Sequence, residues 1–159
     1  MSGAILEARC PGKVNLSLRV GARRADGYHE IRTVFQAVDL WDSLTARPSE
    51  RLALACDDPR VPGGPENLVL RAADALRRRA GDPRRGAALR LRKAIPVAGG
   101  MGGGSSDAAG ALVLLDRLWN LGLASGEIGS IAAELGSDVP FFLHGGAALG
   151  EGRGDRVTP

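Results

Sequence analysis

The stretch "IPVAGGMGGGSSDAAGALVLLDRLW", residues 95–119, sets a tract almost without side chains directly before a helical pattern. Five of the six residues 99–104 are glycine, and glycine loses more conformational freedom on ordering than any other residue. Ala108, Ala111, Leu112, Leu115 and Trp119 then recur at helical spacing, with Asn120 and Gly122 as stop signals. A helix is expected to begin near residues 105–107. The physical use of such a loop is phosphate binding. Glycines let backbone N–H groups approach and converge on anionic oxygens, and a helix start adds free N–H groups and partial positive charge at the same point. Ser105 and Ser106 supply hydroxyls suited to phosphate oxygens or to Mg²⁺, a hard cation. Neither common template fits: Lys93 precedes the glycines, and no frame within residues 99–107 reads Gly-x-Gly-x-x-Gly. The competing reading is a flexible hinge or a tight turn with Ser105 or Ser106 as an ordinary helix cap, although five glycines exceed what one turn demands.

Outward from the loop, strand patterns dominate the N-terminal side. In "KVNLSLRV", Val14, Leu16, Leu18 and Val20 alternate with Asn15, Ser17 and Arg19, the pattern of a half-buried strand with Lys13, Asn15 and Ser17 on its polar face. "RRADGYHE" carries an Asp26–Gly27 turn signal. Further strands are expected over residues 31–40, 44–47, 52–56 and 87–91. Asn67 is a helix cap for a helix through about Arg79. Beyond the loop helix, a further helix starts near Ser125 and stops at Gly136, and the tail "GEGRGDRVTP" ends without a final helix or strand. The mix reads as α+β, strands first, with helices packed on one face.

At 159 residues the chain is expected to form a single domain, 1–159, and hydrophobic and charged contents of 44% and 25% are those of an ordinary globular protein. No apolar run approaches the ~20 residues of a membrane span, and Met1 is not followed by a secretory signal, so the reading is cytoplasmic with no membrane partner. Cys10 and Cys56 stand apart without metal-ligand spacing and read as free thiols; no metal-ligating protein residues are expected. Only Lys13 and Lys93 are lysines among 21 basic residues. Where arginine fills nearly every basic position, a lysine is a candidate for chemistry that needs a compact point charge.

Phosphoryl transfer needs positioning and charge stabilisation, and profits from a base for the acceptor proton. Asp138, in "GSDVPFF", is read locally as a helix cap ahead of Pro140, with a partly buried base as the alternative. Lys13 alone reads as a strand-end lysine, Tyr28 and His29 as turn residues, and His144 as a loop histidine.

Taken in order, "PGKVNLSLRV", "RADGYHEIRTVFQAVDLWD", "IPVAGGMGGGSSDAAG" and "GSDVPFF" resemble the N-terminal half of a GHMP-type small-molecule kinase, over almost the whole chain. "DGYHEIRTVFQ" narrows the resemblance to the branch acting on a cytidine diphosphate-linked methylerythritol. The resemblance implies an α+β kinase domain of the βαβ, ribosomal-protein-like kind, with the family's C-terminal domain absent. It implies ATP and Mg²⁺ as cofactors, and transfer to the 2-hydroxyl of the methylerythritol unit. Asp138 would be the base and Lys13 its charge partner. The ATP-phosphate loop would be Pro96, Val97, Ala98, Gly99, Gly100, Met101, Gly102, Gly103, Gly104, Ser105 and Ser106, with Asn67 near the adenosine end. Asn15 would touch substrate, Tyr28 and His29 the cytosine, and Phe35 would lie nearby. Gly12 stands where the family more often has alanine.

Three rival readings remain at this level. Another GHMP kinase, of homoserine or mevalonate type, would share the loop, but residues 26–40 argue against it. A nucleic-acid-binding module would use Arg77, Arg78, Arg79, Arg84, Arg85, Arg90, Arg92 and Lys93 on phosphates. Against it, these charges suit a solvated helix end and no aromatic residue interleaves with them, so no nucleic-acid partner is expected. A non-catalytic ATP-binding fragment is the third.

Overall fold

The structure, a computed structural model, describes residues 4–159 and is organised on one long strand. β2 (His29–Pro48) carries β1 (Leu6–Arg23) antiparallel along one edge. Its other edge is shared: residues 43–48 pair with β4 (Ala87–Arg92), and residues 31–36 with β5 (Ala147–Gly152). β3 (Leu52–Cys56) adds to β4 in parallel, and β6 (Arg156–Thr158) closes the other end against β5. A parallel pair needs a crossover, and α1 (Leu68–Ala80) supplies it between β3 and β4. α2 (Gly103–Trp119) lies across β1 and β2, with α1, α3 (Ser125–Leu135) and the short α4 (Val139–His144) gathered around it. The βαβ unit and the α+β class expected from the sequence are both present.

The core forms where the sheet meets α1 and α2. Leu44, Ala46, Leu89 and Leu91 from the strands pack with Val69, Ala72 and Leu76 of α1 and Ala108, Leu112 and Leu115 of α2. Each fully buried leucine there contributes about 1.5–3 kcal/mol from apolar burial. A second cluster, Phe35, Phe141 and Ala148, fastens α4 to β2 and β5. Its rings are 4.9 Å apart, and it fixes the residue just before α4, which is Asp138.

Five expectations are corrected. The separate strands at 31–40 and 44–47 are one strand, because Trp41, Asp42 and Ser43 continue the pairing with β1 and the Asp42 carboxylate finds buried partners. The side chains read as the buried face of the first strand, Val14, Leu16, Leu18 and Val20, are exposed, at 37%, 64%, 54% and 62%. Only the first part of β1, through Leu6, Ala8 and Cys10, reaches the core. A bulge after Asn15 also puts Ser17 opposite Val34 while Asn15 stays opposite Phe35, so Lys13, Asn15 and Ser17 do not share one face. The tail is not structureless: β5 and β6 occupy it. Finally, the loop helix starts at Gly103, two residues ahead of the expected segment.

Candidate active site at the glycine loop

The loop between β4 and α2 turns on itself at once. The Gly99 N–H donates to Pro96 O at 3.1 Å, and Ala98, Gly100 and Gly102 take positive φ of 60°, 72° and 68°. Ala98 pays a steric cost of roughly 1–2 kcal/mol there. Gly102 is required on two counts. Its φ is left-handed, and a Cβ on it would come within 2.9 Å of Phe142 Cζ and 3.3 Å of Lys13 Cε. Gly102, and not a serine, is the N-cap of α2, so no side chain caps the helix. The first helical bond runs from Ser106 N–H to Gly102 O at 2.9 Å, which leaves the N–H groups of Gly103, Gly104 and Ser105 for a ligand. The ordinary-cap reading of Ser105 and Ser106 is thereby corrected.

These donors open onto a cleft of about 370 Å³, a size that suits a small-molecule ligand. The loop from Pro96 to Ser105 forms one side of it; Val61, Pro62, Asn67, Leu68 and Val69 form the other. Asn67 is also the cap of α1: its Oδ1 accepts from Val69 N–H at 2.8 Å and its amide donates to Pro62 O at 2.7 Å. Its side chain therefore braces the cleft wall. Ser106 does not line the cleft; it is buried, and its hydroxyl has no partner.

Lys13 meets the loop from β1. Its backbone N–H donates to Met101 O at 2.9 Å, and its buried ammonium donates to Asn15 Oδ1 at 2.7 Å and Gly100 O at 3.2 Å. The same ammonium lies 3.5 Å from Asp138 Oδ2. Asp138 occupies the N-cap position of α4, yet its carboxylate makes no capping bond and turns toward Lys13. The local reading of Asp138 as a cap is right about position and wrong about the side chain. The pair sets a carboxylate and an ammonium side by side next to the free N–H groups at the start of α2.

Behind Lys13 runs a relay that the sequence did not reveal. Asn15 Nδ2 donates to Thr33 Oγ1 at 2.7 Å, and Thr33 Oγ1 donates to Ser17 O at 2.7 Å. Thr33 is fully buried, and its one sequence signal, strand alternation, says nothing about this role. Phe35 is 1% exposed and packs on Phe141 with the Lys13 ammonium 5.6 Å from its ring centroid, so it backs the lysine from within the core.

Tyr28 and His29 sit apart, at the tip of the β1–β2 hairpin, where the Tyr28 N–H bonds Asp26 Oδ1 at 3.1 Å. Tyr28 is exposed, with the Arg153 guanidinium 5.1 Å from its ring centroid; His29 Nδ1 bonds Gly21 O at 3.2 Å. Part of the arginine-rich segment is engaged within the fold. Arg77 bonds Arg85 O and Asp74, Arg79 pairs with Glu127, and Arg85 bonds Trp119 O.

A sequence profile described as the GHMP kinases N terminal domain matches residues 67–146. The 4-diphosphocytidyl-2-C-methyl-D-erythritol kinase of Salinispora arenicola is 53% identical over 154 residues, covering 95% of this chain and 49% of that protein. The protein of the same name from a Nocardioides species is 54% identical over 157 residues, covering 95% and 52%. Among solved structures, a 4-(cytidine 5'-diphospho)-2C-methyl-D-erythritol kinase matches with a TM-score of 0.80 at 42% identity, over 97% of this chain and 55% of that one. The chain spans about half the length of the curated relatives it matches.

Proposed function

The chain belongs to the GHMP kinases, and from that membership we propose that it carries the nucleotide site and the reacting side chains of a kinase transferring the γ-phosphoryl group of ATP to the 2-hydroxyl of 4-diphosphocytidyl-2-C-methyl-D-erythritol. The observation that carries this reading is the Asp138 carboxylate, free of capping duty and 3.5 Å from a buried lysine that also touches the loop. In the reaction Asp138 accepts the hydroxyl proton as that oxygen bonds to the γ-phosphorus. The bond from the γ-phosphorus to the β–γ bridging oxygen breaks, and ADP leaves. Lys13, 3.5 Å from Asp138, offsets charge on the transferring group, an effect on the scale of other preorganised charge donors.

The ATP phosphates lie along Gly99–Gly104 and Ser105, on the N–H groups at the start of α2, with the adenosine toward the wall that holds Asn67. Mg²⁺ fits this donor set as a phosphate-bound ion. Among the described residues no three acidic, histidine or cysteine side chains gather to cage a metal, and the cleft offers the Ser105 hydroxyl. When bound, the ion neutralises phosphate charge. Asn15 faces the acceptor beside Lys13, while the exposed Tyr28 ring and His29 receive the cytosine.

The test is ADP release from Mg-ATP by this chain and its Asp138→Asn variant, with 4-diphosphocytidyl-2-C-methyl-D-erythritol, mevalonate or homoserine as acceptor. Release that requires the first acceptor and falls about 10²–10⁴-fold in the variant is expected. Turnover with mevalonate or homoserine instead would overturn the acceptor, and an active Asp138→Asn would overturn the base.

A further inference from the structure

Of the two lysines, the proposed reaction uses Lys13. Lys93 is equally buried, its side chain 6% exposed, and it bonds two carboxylates that are themselves out of solvent. Its ammonium contacts Asp42 Oδ2 of β2 and donates to Asp107 Oδ2 of α2 at 2.8 Å. The other oxygen of Asp42 accepts the backbone N–H groups of Ala94 and Ile95, at 2.6 and 2.9 Å, where the chain leaves β4 for the glycine loop. The first helical residue after the loop rests on the same cluster: a Cβ on Gly103 would lie 3.1 Å from Lys93 Nζ and 3.3 Å from Asp42 Oδ2.

Both ends of the glycine loop are therefore tied to one buried cluster, and the span between them is set by it. We propose that Lys93, Asp42 and Asp107 form a positioning triad that holds the start of the loop and the first turns of α2 in the arrangement that accepts nucleotide phosphates.

Three observations support this. A buried ion cluster is a poor source of stability, since well-packed apolar residues of similar volume often do as well or better; its distinctive property is directional bonding. The bonding here is directed at the loop, through two backbone amides and one helix. Lysine also suits the space. A compact ammonium with rotatable donors reaches two carboxylates from different elements beneath Gly103, where arginine's planar fork does not match. Finally, the cluster keeps unspent capacity on the helix side. Asp107 Oδ1 and the neighbouring Ser106 hydroxyl are buried without partners, so the bond from Lys93 carries the attachment of Asp107 to the rest of the cluster.

The inference rests on the proposed function for its nucleotide readout and is independent of it for its loop readout. Two variants of this chain are compared with the wild type: Lys93→Met, and Lys93→Met combined with Asp42→Asn and Asp107→Asn. The single variant strands two buried carboxylates and is expected to lose stability. The triple variant removes those charges and is expected to recover a cooperative melt. Hydrogen exchange at residues 99–106 is expected to be on the order of 10-fold faster in both variants, relative to unchanged exchange in β3 and α3, as suits the loss of charge-assisted bonds. Affinity for MgADP is expected to fall by a similar factor, with the KM for the alcohol acceptor unchanged. Wild-type loop protection and wild-type MgADP affinity in the refolded triple variant would overturn the triad. If the wild type binds no MgADP, the nucleotide-site reading fails, and loop exchange alone still decides whether the triad positions the loop.

Discussion

Lys13 Nζ lies 3.5 Å from Asp138 Oδ2, joining the first strand to the start of the last helix directly over the glycine loop. The pair depends on long-range structure at both ends, since the Phe35–Phe141 contact seats α4 and the Met101 carbonyl fixes the Lys13 backbone. Lys13→Met keeps the length of the side chain and removes the charge. We expect kcat to fall roughly 10²–10³-fold, with KM for ATP changed far less. A steady-state assay of both parameters checks it; a fall under tenfold would mean that Asp138 works without Lys13.

Thr33 is predicted to act on the same pair at one remove. Its hydroxyl accepts from Asn15 and donates to Ser17 O, which orients the Asn15 amide with Oδ1 toward Lys13. Thr33→Val is close to isosteric and leaves the Asn15 amide and the Ser17 carbonyl short of a partner, at a cost of about 1–3 kcal/mol. The expected outcome is a kcat reduced about tenfold at nearly constant KM for ATP, with Thr33→Ser restoring most of it. Equal losses in the serine and valine variants would reduce Thr33 to a packing residue.

How much of this was legible beforehand divides along physical lines. Local chemistry was legible: the glycine tract, the Asn67 cap, the Asp26–Gly27 turn and the helices at periodic apolar spacing all fall close to where the sequence places them. What failed depended on partners far away in the chain. Val14, Leu16, Leu18 and Val20 alternate as a buried face should, but β1 is an edge strand and the helices cover only its first part. Asp42 falls in the gap between two expected strands, and the partners that satisfy it, Ala94, Ile95 and Lys93, come from about fifty residues on. At the site, the glycine loop itself was readable. Thr33 and the Asp42–Asp107 pair carried no signal, and Lys93 only that of its rarity among arginines.

Gly104 separates stability from binding. It lies in the first turn of α2, lines the cleft, and a Cβ there would meet only Leu68 Cδ1 at an ordinary 3.8 Å. Gly104→Ala should therefore raise stability by roughly 0.5–1 kcal/mol through helix propensity. In the proposed nucleotide site the same methyl group would stand where phosphate oxygens approach the backbone, so MgADP affinity should fall. Thermal melts and calorimetric titration on one preparation test both halves. Tighter melting with unchanged affinity would place the phosphates elsewhere.

Asp107 makes a prediction about pH. Burial pushes its carboxyl from the ordinary 3.8 up to about 7, more than the opposing Lys93 ammonium pulls it down, with Asp42 adding to the rise. Cys10, packed beside the same cluster, has its thiol pushed up by burial and by Asp107 and Asp42, so it stays neutral across the range that matters. Between pH 4 and 7 the unfolded chain has released the Asp107 proton while the folded chain still holds it. Stability therefore falls as pH rises, by at most about 1.4 kcal/mol per pH unit from this group. Below pH 4 the carboxyl is protonated in both states, and above 7 it is ionised in both, so the difference is constant at either end. Asp107→Asn removes the titration and leaves every other carboxylate in place. Urea unfolding of wild type and variant at pH 4.5, 5.5, 6.5 and 8 should show the variant's relative stability climbing to about pH 7 and then levelling. A flat difference would mean that Lys93 fully compensates the buried carboxylate, and a falling one that the ion pair is a net stabiliser of the fold.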